Sequence, residues 1–301
     1  MKVMVFANLL VGDSGVLSMS PQSLDAWQRD KVAALAGALD DARSRGAEAC
    51  LIAGGLLAEG FVPQSLLEGV MGALSASQLQ LIWIPLAHEA SDLESRVRVP
   101  DNLRLIRECS ACPFEGIHVI HEGPDVEVHL STGKGTSGGA MTSLEPSGFG
   151  EQARAGYLLL DIEGGLVTSV EEVPRARHAF LTRRLDLTGG GEPGELKAAL
   201  RSAIEGIDPS ACLRLVLTGA LPLSTYVNAS NLPGLLQQRF FYAEVADECS
   251  IDLPDDELEG DVSLMAEFAR MVKADDTLSP VEKTRVLRCG WNALNGKELV
   301  E

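Results

Sequence analysis

Short apolar runs alternate with stretches of helical period from Lys2 to Pro85, and few architectures accommodate that alternation. Lys2 to Ala7 is an apolar run, Ser23 to Arg45 carries Val32, Leu35 and Leu39 at helical spacing, and Ala49 to Ala53 is apolar again. Leu66, Val70 and Leu74 then recur every four residues after Val62-Pro63, and Leu79 to Ile84 closes at Pro85. Strands apolar on both faces, joined by helices, predict a parallel sheet with right-handed crossovers and helices on its faces.

From about Asn102 the pattern changes. Leu103 to Ile106, Ile117 to Ile120, Val126 to Leu130 and Tyr157 to Ile162 read as short strands separated by Gly, Pro and Ser, a mostly antiparallel second layer of the same domain. Within the Gly-, Ser- and Thr-rich stretch from Ser131 to Gly150, Gly133-Lys134-Gly135-Thr136 invites comparison with a phosphate-binding loop. The comparison fails, because that loop needs a glycine where Val128 stands.

A second α/β unit follows His178: strands at Phe180 to Leu187, Leu213 to Thr218 and Phe240 to Val245, and helices at Pro193 to Ile204 and Leu232 to Gln238. An acidic link from Asp252 to Asp261 leads to two amphipathic helices. The first presents Leu264, Phe268 and Met271 on one face. The second opens on Ser279-Pro280-Val281-Glu282, an N-cap, a first-turn proline and a capping-box glutamate in order, and then presents Leu287, Trp291 and Leu294. The domains expected are therefore 1–178, 179–250 and 251–301.

With 46% hydrophobic residues in 301, a buried core is available to each unit, and no stretch approaches the ~20 apolar residues of a membrane span. The opening residues read as a buried first strand rather than a signal peptide, so the expected location is cytoplasmic. The six cysteines are scattered and are expected to be reduced. Acidic residues outnumber basic ones by 43 to 25, a net charge of −18, which predicts poor DNA affinity for the chain alone.

The order of these features resembles the SbcD-like DNA repair exonucleases of the calcineurin-like metallophosphoesterases over nearly the whole chain. That family opens with Ala-Asp-x-His-Leu-Gly after its first strand; here the segment is Ala7-Asn8-Leu9-Leu10-Val11-Gly12. Its Ala-Gly-Asp-Leu-Phe is matched by Ala53-Gly54-Gly55-Leu56-Leu57, and its Pro-Gly-Asn-His-Asp by Pro85-Leu86-Ala87-His88-Glu89. No Gly-His-x-His is found between there and Tyr157. Gly148-Phe149-Gly150-Glu151 and Gly156-Tyr157-Leu158-Leu159 look like the lead into the last core strand, the unit from 180 to 247 like the capping domain, and Arg288 to Leu299 like the closing segment. The resemblance implies an α/β fold, a layered αββα sandwich followed by a small α/β capping domain and C-terminal helices.

It also implies a metal site whose ligands are largely replaced. Family members hold two manganese ions, and such pairs sit about 3.5–4 Å apart. At an effective dielectric of about 20 two divalent ions at that separation repel by roughly 19 kcal/mol before ligand charge is counted. Asn8, Leu10, Gly55 and Ala87 stand where family ligands stand, and Gly55, in place of the bridging aspartate, removes the carboxylate where the repulsion is largest. The expectation is no catalytic residue, no resident metal and no cofactor; one weakly held ion on Asn8, His88 and Glu89 is the competing reading, that of a rearranged single-metal phosphodiesterase or nuclease.

Two other groupings read as structural. His118 and His121 lie three apart on one strand and point to opposite faces, with His129 on another strand, and Cys109-x-x-Cys112 has no second pair. The functional expectation is a non-catalytic SbcD-like subunit, a homodimer through helices of its first domain, that scaffolds or regulates an SMC-like ABC ATPase of SbcC type and meets DNA only within that complex. Leu264, Phe268, Met271, Leu287, Trp291 and Leu294 are the expected partner-binding residues.

Overall fold

The computed structural model describes residues 1–13, 19–90, 93–108, 111–122, 125–133, 135–140, 143–150, 155–188, 193–222, 232–252 and 262–294. Two compact units are present, Met1–Phe180 and Leu181–Glu301.

In the first unit, β1 (Lys2–Phe6), β2 (Ala49–Ile52), β3 (Gln80–Trp83) and β4 (Leu103–Leu105) pair in parallel, with Val3 opposite Ala49 and Ile52 opposite Trp83. The crossovers are α1 (Pro21–Ser44) and α2 (Gln64–Ala76). Helix α1 starts where Ser20 accepts the Ser23 N–H at 3.2 Å and Pro21 occupies the first turn. Helix α2 ends at Ser77, where the Asn102 side-chain amide donates to the carbonyls of Leu74 and Ser77 at 3.0 and 2.9 Å.

On the other side of β1 the sheet becomes antiparallel. β8 (Gly156–Glu163) pairs with β1 and turns through Gly164 and Gly165, at φ 58° and 79°, into β9 (Leu166–Pro174). Two successive positive φ values favour glycine at both positions. β9 meets β6 (Asp125–Thr132) at one residue pair, and β6 is flanked by β5 (Ile117–Glu122) and β7 (Gly135–Ala140). The full order is β4-β3-β2-β1-β8-β9-β6-β5, with β7 on β6.

Strand alternation sends side chains to two cores. Met4, Phe6, Ile52 and Trp83 join Leu35, Leu39, Val70 and Leu74 of the helices. Val3, Val5, Leu51 and Ala53 join Val119, Val126, Val128 and Leu130 of β5 and β6. The sheet therefore curls so that β5 and β6 cover the face opposite α1 and α2. The fold is mixed α/β, as expected. The expected fourth, helical layer has no counterpart among the described residues of this unit: besides α1 and α2 its helices are α3 (Ala87–Ala90) and α4 (Leu93–Arg96), one turn each.

The second unit holds a sheet of order β10-β11-β13, comprising Phe180–Asp186, Cys212–Thr218 and Tyr242–Asp247, with β11 parallel to β13. Leu213, Leu215 and Leu217 alternate into a core with Ile204, Leu236 and Phe240, near α5 (Pro193–Ala203) and α6 (Leu232–Gln237). β12 (Ala220–Pro222) and β14 (Ser250–Asp252) form a small ribbon, and α7 (Leu264–Ala274) and α8 (Pro280–Leu294) pack on each other around Ala266, Ala269, Val272 and Leu287. The acidic link at 253–261 lies outside the described residues. No described helix is long and apolar enough to cross a membrane.

Candidate functional site

The segments after β1, β2 and β3 converge, as the carboxyl ends of neighbouring parallel strands do in α/β sheets. Asn8 donates its N–H to the Gly54 carbonyl at 3.0 Å, Leu10 to Gly55 at 2.8 Å and Val11 to Leu56 at 2.9 Å, so the two loops run side by side. Asn8 and Leu10 adopt φ 55° and 51°. Asparagine tolerates that region, whereas a leucine there costs about 1–2 kcal/mol and is held by its surroundings.

One of those surroundings is Lys31, only 1% exposed in the middle of α1. Its ammonium donates to the Leu10 carbonyl at 3.1 Å and to the Ser147 hydroxyl at 3.4 Å, and lies 4.0 Å from the centre of the Trp27 ring. Buried Glu145 accepts the backbone N–H groups of Arg177 and His178 at 2.6 and 3.4 Å. Burial raises its pKa, and those two amides, His178 and Lys31 oppose the rise. Asp30, next to Lys31, takes Arg177 and His178 on its two oxygens at 3.1 and 3.0 Å. Sequence reading missed this cluster, although its signal is present: Trp27, Lys31, Leu35 and Leu39 are spaced by four, which puts a lysine on the apolar stripe.

Glu89, on the third segment, is 4% exposed. Its carboxylate accepts the N–H groups of Gly55 at 3.1 Å, Leu57 at 2.7 Å and Leu86 at 2.6 Å, which locks the second and third segments together. Burial raises its pKa, against the lowering effect of those amides and of His88. His88 is exposed, with Nε2 3.3 Å from the Leu57 carbonyl, and Ala87 is exposed beside it.

The residues expected from the sequence are thus brought together around Gly55, but as a packed junction. A Cβ at Gly55 would lie 2.5 Å from Asn8 Oδ1 and 2.9 Å from Asn8 Cα, and the backbone there is at φ +64°. A bridging side chain has no room at that position. Leu10 and Ala87 offer no donor atom, and both Glu89 oxygens are engaged by backbone amides. A pair of manganese ions does not fit these residues.

Among the histidines, His118 stands opposite His129 across β5 and β6. His118 Nε2 is 3.2 Å from the Ser131 hydroxyl and His129 Nε2 is 2.8 Å from Glu127, while His121 turns inward to the Ala53 carbonyl at 2.7 Å. His118 and His121 take opposite faces. No group of three His, Cys, Asp or Glu suited to a metal ion occurs among the described residues. Cys109 and Lys134 lie outside those residues, and Cys112 is half-buried.

In the terminal helices the capping box forms: Ser279 N–H donates to Glu282 at 2.8 Å and Glu282 N–H to the Ser279 hydroxyl at 3.4 Å. The expected docking residues divide. Leu264, Met271 and Leu294 are 71%, 67% and 47% exposed, whereas Leu287 is 4% exposed inside the hairpin. Phe268 and Trp291 are half-buried, Phe268 lying against Gly290. Leu287 therefore holds the two helices together, because α8 turns that side toward α7.

No protein-family model matches the chain and no curated protein matches it.

Proposed function

We propose that this chain is a non-catalytic relative of the SbcD-like exonucleases, a homodimeric subunit that scaffolds or regulates an SMC-like ATPase of SbcC type and meets DNA only inside that complex. The observation that carries the reading is the junction around Gly55. The three strand-end segments that resemble the family's metal loops are tied in sequence, the first to the second by the Asn8, Leu10 and Val11 N–H groups on the Gly54, Gly55 and Leu56 carbonyls, and the second to the third by the Glu89 carboxylate on Gly55 and Leu57, in an arrangement that leaves no room for a bridging ligand. The exposed Leu264 and Met271, seven residues apart on α7, supply the docking stripe.

Affinity capture of the native protein, compared with a Leu264→Asp/Met271→Asp variant, tests this with mass-spectrometric identification of what is retained. An SMC-like ATPase recovered with the native chain and lost with the variant supports the reading. Manganese-dependent phosphodiester cleavage by the purified chain, abolished by His88→Ala, would return it to the enzymes.

A further inference from the structure

Beside the Gly55 junction lies a cavity of about 270 Å³, bounded by the loop after β2, by α2 and by the α3–α4 segment. Its apolar walls are Leu57, Val62, Leu67 and Leu93, all buried. Glu89 also lines it, but that carboxylate is directed to the backbone amides of Gly55, Leu57 and Leu86. The two remaining polar side chains, exposed His88 and half-buried Arg96, both carry ring or guanidinium N–H donors.

Arg96 is held in place. Its Nη2 donates to the Val62 carbonyl at 2.5 Å, and its guanidinium carbon lies 5.6 Å from the centre of the Phe61 ring. Phe61 is 81% exposed, so a flat apolar surface stands next to the fixed cation at the edge of the cavity. On a chain of net charge −18, such a convergence is not the by-product of a generally basic surface.

The geometry points to a binding site for a small organic anion, a flat apolar body carrying one carboxylate or phosphate. The anionic group pairs with Arg96 and His88, and the body enters the space walled by Leu57, Val62, Leu67 and Leu93. The volume lies just below the usual ~300–1,000 Å³ range of small-molecule pockets and excludes a folded peptide or a polymer segment. The inference stands apart from the proposed scaffold role, because none of these residues belongs to α7 or α8.

Calorimetric titration of the full-length protein with benzoate, with phenyl phosphate and with uncharged methyl benzoate tests it. Saturable binding of either charged probe, absent for the ester and weakened about tenfold in Arg96→Gln by loss of a charge-assisted contact, supports the site and identifies its head group. Saturable binding of neither charged probe, equal binding of the ester, or undiminished affinity in Arg96→Gln overturns it. Should Arg96→Gln fail to fold by circular dichroism, Phe61→Ala and His88→Gln alter exposed side chains and carry the same comparison; full affinity in both overturns the proposal.

Discussion

At the scale of single residues, Glu89 carries more structural responsibility than any other side chain of the candidate site. Removing its carboxylate leaves three buried N–H groups, of Gly55, Leu57 and Leu86, to find other partners. Glu89→Ala should cost about 3 kcal/mol in urea denaturation, and the loss should be the same with and without a chelator. Gly55→Asp restores the residue type of the family's bridging ligand but places it against Asn8 at φ +64°. It should lower stability by about 2 kcal/mol and give no manganese binding by calorimetry; tight stoichiometric binding would refute the packed-junction account. Asp41 gives a pH-dependent case. The Tyr157 hydroxyl foremost, with Arg45 and Arg175, lowers its pKa below 3.8 against a smaller rise from burial. The folded state thus holds this proton more weakly than the unfolded chain does. Its stabilisation is complete above about pH 5 and is lost as pH falls through 3.8 toward the lower folded value. Asp41→Asn should therefore destabilise by about 1 kcal/mol at neutral pH, with the difference from the native chain vanishing in acid.

At the scale of elements, the terminal hairpin separates packing from recognition. Leu287 sits in the shared core of α7 and α8, so Leu287→Ala should loosen the hairpin by about 2–4 kcal/mol, seen as faster amide exchange in both helices. Met271, 67% exposed, should tolerate alanine within about 0.5 kcal/mol while affecting capture of a partner. Arg288 fastens α8 to β13 through Asp247 at 2.6 Å. Periodicity placed both helices in the sequence, and the Ser279–Glu282 box marked where the second begins, because caps and stripes are local properties. Which apolar residue of a stripe is covered depends on the neighbouring helix, and the spacing of Leu287, Trp291 and Leu294 carries no information about it. β7 and β9 went unannounced for a related reason. Gly135–Ala140 has almost no apolar side chains, and β9 is exposed over most of its length, so their strand character comes from pairing with β6 and β8.

At the scale of the whole molecule, a net charge of −18 opposes association with the polyanionic backbone of DNA. The isolated chain should not retard duplex DNA at physiological salt, and a salt-sensitive shift at sub-micromolar protein would contradict the expectation that DNA is met only within a complex. The sequence by itself determined the parallel βαβ start, the second α/β unit, the two terminal helices and the charge balance, since each depends on residue type and short-range period. Only the tertiary structure decided what the site is. Glu89 finds Gly55 across 34 positions, and Glu145 finds Arg177 across 32. Lys31 reaches Ser147 across 116. Contacts of that separation form only when the sheet has brought its strand ends together, so a buried carboxylate that ties loops and one that binds metal look alike in the sequence.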